Sequence, residues 1–160
     1  MKKKHLIYLI IAVLLIGATG YYLFNASDSN DSGANQTDTE VQIGTTVGKK
    51  APDISLNNLK GEKINLSDYR GKKVFLNFWA TWCGYCVKEM PDIEKLDNKY
   101  QDTAVIAINV GERKGKVSDF IRLNNYTFTV LLDSDRKIAK KYNIASFPTT
   151  IILNKKGVIK

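Results

Sequence analysis

The chain has 160 residues, 44% hydrophobic and 25% charged, which is the balance of one globular domain rather than of a disordered or fibrous chain. Its formal net charge is +8, but the lysines and arginines are scattered among helix and turn positions and form no nucleic-acid-binding motif, so a nucleic-acid role is excluded. Two cysteines and a single histidine near the N-terminus, His5, rule out a disulfide-dense scaffold, a His-based triad and a His-containing metal site in the domain.

The chain begins "MKKKHLIYLIIAVLLIGATGYYLF", three lysines ahead of an uncharged stretch over 6–24. A helix of that length rises about 1.5 Å per residue and spans a hydrocarbon core of about 30 Å. Residues 1–24 are therefore expected to be a cytoplasmic tip and a single-pass transmembrane signal-anchor, with the remainder on the extracytoplasmic side of the cell membrane and Tyr21 and Tyr22 at the outer interface. The competing reading is a cleaved signal peptide, since "ATG" supplies small residues for a signal peptidase; the length of the apolar run favours the anchor. Residues 25–40, "NASDSNDSGANQTDTE", contain almost nothing to bury and read as a flexible polar tether.

Residues 41–160 are expected to form the domain. Extended pieces at 53–56 and 62–65 flank the turn material "NNLKG" and predict a β-hairpin ahead of the main fold. "KVFLNFWA" (73–80) is a continuous apolar run, the pattern of a strand buried on both faces. Val87, Met90, Ile93, Leu96 and Tyr100 then recur at helical spacing, with Pro91 inside that helix.

"TAVIAINV" (103–110) predicts a second strand, the segment from 117 a helix, and "FTVLLD" (128–133) a third strand. Asp133 or Ser134 is placed to cap the short helix "RKIAKKYN". Pro148 opens a further strand, followed by a turn at 154–157 and the start of another. This alternation of strands and helices predicts an α/β fold with a central sheet flanked by helices. The basic charge could attract anionic headgroups or acidic partners, but its scatter reads more simply as solvated surface.

Cys83 and Cys86 carry the chemistry. Two cysteines without a histidine do not complete a zinc site, so no metal is expected. A bridge across so short a loop removes little unfolded-state entropy, which makes it a poor staple. A redox role uses the spacing well: Cys83 at a helix N-terminus is favoured as a thiolate nucleophile, and Cys86, one turn on, can resolve a mixed disulfide.

"FWATWCGYC", Pro91 and the late "FPTT" together resemble the thioredoxin superfamily over residues 41–160. The N-terminal hairpin, "NVGERK", "VLLDSDR" and the membrane anchor narrow the similarity to the ResA branch of the TlpA-like, membrane-tethered thiol-disulfide oxidoreductases, with a redoxin (AhpC/TSA-like) domain. The resemblance implies a thioredoxin-like mixed sheet with an added hairpin, Cys83 and Cys86 as the active pair, and Pro148 as a cis-proline beside it. Trp82, Tyr85, Phe147 and Pro148 would meet the substrate. Glu89, three residues after the second cysteine, would handle protons, because the buried Asp of cytoplasmic thioredoxins is replaced by Asn77.

Two departures stand out. Gly84-Tyr85 occupies the place of the Glu-Pro common between the cysteines of ResA-like proteins, so the potential does not transfer. The chain also stops at Lys160 without the C-terminal helix that covers one sheet face in the family; either the chain is truncated or that face is exposed, and an exposed face predicts low stability.

The expected function is reduction of disulfides in exported proteins, such as the CxxCH motif of an apocytochrome c during cytochrome c maturation. Electrons would come from a membrane thiol carrier of the CcdA type, and no cofactor is needed. Rival readings are a disulfide-donating oxidase, a thiol peroxidase and a redox-inert binding module. The peroxidase lacks its PxxxTxxC pattern here, where "NFWATWC" offers Thr81 without the proline, and the intact Cys83, Cys86 and Pro148 argue against the inert module.

Overall fold

The computed structural model describes residues 41–160. The expected membrane anchor and tether lie outside the described residues. Among those described, no helix is long and apolar enough to cross a membrane.

The first two strands, β1 (Ser55–Asn58) and β2 (Lys63–Asn65), form the expected hairpin, and a 3-10 turn at Leu66–Tyr69 leads into β3 (Lys73–Trp79). Helix α1 (Gly84–Lys99) follows the cysteine loop, then β4 (Thr103–Val110), α2 (Lys114–Leu123), β5 (Thr129–Asp133), α3 (Lys137–Lys141) and β6 (Thr149–Leu153). The strands form one mixed sheet in the order β2-β1-β5-β4-β3-β6. β3, β4 and β5 are parallel, while β6 and the hairpin join antiparallel at opposite edges.

The hairpin strands sit about two residues later at β1 than the turn composition predicts. Asn57 and Asn58 read as turn residues, yet they pair with Leu132 and Leu131 of β5. The Asn58 side chain also builds the turn itself, accepting from the amides of Lys60 and Glu62 at 2.9 Å each.

The apolar runs in β3 and β4 are continuous because both faces of the sheet are covered. Val74, Leu76 and Phe78 of β3, with Ile106, Ile108 and Val110 of β4, point to a core closed by Ile54, Leu66, Ala139 and Tyr142. The alternate residues Trp79, Val105 and Ala107 point to the other face, where Cys86, Met90 and Ile93 of α1 and Val117 and Ile121 of α2 close a second core. Cys86, Met90 and Ile93 are spaced to share one helix face. The expected apolar stripe is narrower at its end, because Tyr100 lies outside the helix and is exposed.

α2 begins at Lys114, before the first apolar position that marks it in the sequence. α3 shows a second difference. Its N-cap is Arg136, in the left-handed region at φ 62°, while Asp133 reaches past the cap and accepts from the amides of Ile138 and Ala139 at 3.1 and 2.8 Å. Ser134 instead donates to the carbonyl of Glu112 at 2.8 Å. After β6, Asn154 to Gly157 form the expected turn, and Val158 and Ile159 make isolated bridges to Lys50 and Leu153.

Candidate active site

β3 delivers the chain to the site. Trp79 and Ala80 are fully buried, and the loop closes with a hydrogen bond from the Cys83 amide to the Ala80 carbonyl at 3.1 Å. Cys83 has an extended backbone and is the N-cap of α1. Its Sγ takes the role usually filled by a Ser or Asp oxygen, accepting from the Cys86 amide at 3.2 Å. The two sulfurs are bonded, with Cα atoms 5.2 Å apart.

The pair is asymmetric. Cys83 keeps 7% exposure and Cys86 none. The first sulfur, the less buried of the two, lies at the positive end of a 16-residue helix, where free amides and the helix dipole favour a thiolate once the disulfide opens. The second stands behind it at resolving distance.

The Phe147–Pro148 peptide bond is cis, as the resemblance implied. The exposed Trp82 meets Phe147 edge-on, ring centroids 5.8 Å apart, and Phe147 also packs against the core cluster that holds both cysteines. Trp82 and Phe147 are thus brought to the dithiol, with Pro148 next in the chain. Tyr85 projects from the first turn of α1, highly exposed, with the Lys88 ammonium 5.6 Å from its ring centroid.

Glu89 lies half-buried on α1, one turn beyond Cys86. Asn77, fully buried in β3, donates through Nδ2 to Glu89 Oε1 at 2.9 Å and to Thr150 Oγ1 at 3.2 Å. The Oδ1 of Asn77 is buried and has no hydrogen-bond partner among the described residues. Asn77 therefore serves the expected carboxylate rather than standing idle where thioredoxins keep an Asp.

A second carboxylate was not singled out from the sequence. Glu112 follows β4 and is nearly buried, and it accepts from the Thr81 amide at 2.7 Å and the Thr81 hydroxyl at 2.6 Å. Asn109 Nδ2 adds a bond at 2.8 Å and Lys116 an ion pair at 2.7 Å. Burial works against its charge, but the bonds from Lys116, Thr81 and Asn109 win and hold it down at about 2. Glu112 thereby clamps the loop two residues ahead of Cys83. The sequence signal was a lone Glu just after an apolar strand, at the strand end where the cysteine loop also emerges.

Residues 47–160 match the AhpC/TSA family. The chain is 43% identical over 155 residues to the thioredoxin-like protein YneN of Bacillus subtilis, covering 94% of this chain and 84% of that one. It is 38% identical over 164 residues to the thiol-disulfide oxidoreductase ResA of Geobacillus kaustophilus, covering all of this chain and 88% of the relative. Among solved structures it is similar to StoA from Bacillus subtilis, with a TM-score of 0.60 and 31% identity over 68% of this chain and 84% of that one.

Proposed function

The chain belongs to the AhpC/TSA family and is a thiol-disulfide oxidoreductase of thioredoxin-like fold, and from that premise we propose that it is a membrane-tethered reductase acting on disulfides of exported proteins outside the cytoplasm. The observation that carries the thiol-disulfide exchange is the placement of Cys83, a sulfur at the helix N-cap with 7% exposure and Cys86 buried behind it; the direction, the tether and the extracytoplasmic side rest on the resemblance to ResA-like proteins.

In the proposed reaction the Cys83 thiolate attacks one sulfur of a substrate disulfide. That S–S bond breaks, a mixed disulfide forms, and the departing substrate thiolate takes up a proton. Cys86 then gives up its proton and attacks Cys83 Sγ, releasing the second substrate thiol and leaving Cys83 and Cys86 joined. Two electrons have passed from the dithiol to the substrate, and a membrane thiol carrier of the CcdA type returns them.

Glu89 is the proposed proton acceptor for Cys86. Asn77 suits both of its states: Nδ2 donates to the carboxylate, and the amide turned over would offer Oδ1 to the protonated carboxyl and to the Thr150 hydroxyl. Trp82, Tyr85, Phe147 and Pro148 form the proposed substrate surface, the exposed rings of Trp82 and Tyr85 and the half-buried ring of Phe147 beside a backbone edge that a polypeptide can pair with.

The resemblance to ResA-like proteins supports the oxidised CxxCH motif of an apocytochrome c as the substrate. The test is a Cys86→Ser variant mixed with an oxidised CxxCH peptide, which should accumulate a covalent complex through Cys83. Trapping of other disulfide proteins but not this peptide would redirect the substrate assignment. No trapping of any disulfide would overturn the reductase reading.

A further inference from the structure

Three segments far apart in sequence meet at the end of the sheet opposite the cysteines. The loop 43–51 lies against the last hairpin: the Gly48 amide donates to the Ile159 carbonyl at 3.0 Å, Ile159 returns a bond to Lys49 at 2.9 Å, and Ala51 bonds Gly157 at 2.9 Å. The turn 69–72 joins them through Gly71 and Lys155 at 2.9 Å, with the Arg70 guanidinium against Gly157.

These segments carry Lys49, Lys50, Arg70, Lys72, Lys155 and Lys156, while 41–51, 69–72 and 154–159 contain no Asp or Glu. Three acids border these segments and each has partners of its own: Asp102 is paired with Lys73 at 3.3 Å, Asp53 accepts from the Ser67 amide and hydroxyl at 3.0 Å each, and Asp68 accepts from the Asn65 amide at 3.0 Å. Two apolar side chains stand out from the same loop with no core to join, Ile43 at 71% exposure and Val47 at 74%. Leu123 on α2 is as exposed, but Ile43 and Val47 share one loop with the lysines and stand out together from the basic end.

We infer that this basic end, tipped by Ile43 and Val47, is a docking surface for anionic phospholipid. Charge of one sign attracts acidic headgroups, and short apolar tips suit the headgroup-acyl boundary. The inference deepens the membrane-tethered reading and rests on it for the nearness of a bilayer. It adds an orientation. β3 runs seven residues from Lys73 to Trp79, a rise of about 20 Å between the basic end and the cysteine loop. A docked domain holds Cys83 away from the bilayer, toward exported substrates, and must release before the pair can meet a carrier within the membrane.

The test is amide hydrogen exchange on the full chain in nanodiscs of phosphatidylcholine alone or in equal mixture with phosphatidylglycerol. Exchange in 43–50 and 154–159 should slow about tenfold in the anionic discs and return to the neutral-disc rate at high salt. The triple variant Lys49→Glu, Lys155→Glu, Lys156→Glu should lose the protection while reducing insulin at the unaltered rate. Ile43→Ser with Val47→Ser should weaken the protection without changing its salt dependence.

Equal exchange in both discs overturns the inference, as does protection that survives charge reversal. Protection in lipid-free detergent that grows with protein concentration also overturns it, by identifying a second copy as the occupant. The tether is read separately: a tethered chain stays with discs of either composition at high salt, whereas a chain held only by anionic discs and shed by salt would reject the tether and keep the patch.

Discussion

Glu112 and Glu89 flank the same cysteine loop and are held in opposite ways. Glu112 receives two bonds from Thr81, one from Asn109 and an ion pair from Lys116, which together fix it as a carboxylate. Glu89 receives one bond, from a buried Asn77 whose own acceptor is free of partners among the described residues. A carboxylate saturated with donors positions its neighbours and does not take a proton near neutral pH. One with a single amide donor keeps acceptor lone pairs open to a further partner.

Exchanging one atom in each carboxylate breaks this contrast. Glu89→Gln keeps the bulk and loses the basic oxygen, so resolution of the mixed disulfide should slow by about a hundredfold. The titration of the Cys83 thiol should change as well, with little change in melting temperature. An unaltered titration and rate would remove Glu89 from proton handling.

Glu112→Gln should do the reverse. It leaves Lys116 without its partner and weakens the bonds to Thr81, at a cost of about 2 kcal/mol in stability. Because the folded-state value of Glu112 lies below its ordinary 4.5, at about 2, its contribution is complete above pH 4.5 and is lost as pH falls toward 2. Chemical denaturation across that interval should show a steeper loss for the unaltered protein than for the variant. Equal slopes would mean that the clamp does not stabilise the fold.

The smallest effect sharpens the contrast within the clamp. Lys116 is 59% exposed on its side chain, so water screens its ion pair, and Lys116→Ala should cost only about 0.5 kcal/mol. A loss as large as that of Glu112→Gln would shift the weight of the clamp from the Thr81 bonds to the ion pair.

The dithiol was legible because its determinants are local. The CxxC spacing, an apolar strand before it and an amphipathic helix after it lie within one stretch of chain, and the structure places Cys83 at the helix cap that the pattern requires. The pairing of Glu89 with Asn77 was half legible: both positions were marked, but twelve residues and a strand-to-helix turn separate them, and no periodicity links their side chains.

Glu112 was not legible in its role, since residues 81, 109, 112 and 116 converge only after β3 and β4 align in register. The same holds for the basic end. Its lysines look scattered along the sequence and become one surface when 43–51, 69–72 and 154–159 bond to one another. The cis bond before Pro148 came from the resemblance alone, because nothing in a hydrophobic pattern encodes it.

The central claim is that Cys83 and Cys86 give electrons to an oxidised protein, and the most direct test is the equilibrium reduction potential of the pair, measured in thiol redox buffers. A reducing value is expected, closer to the roughly −270 mV of thioredoxin than to strong oxidants. A value near about −120 mV, typical of a disulfide donor, would contradict it.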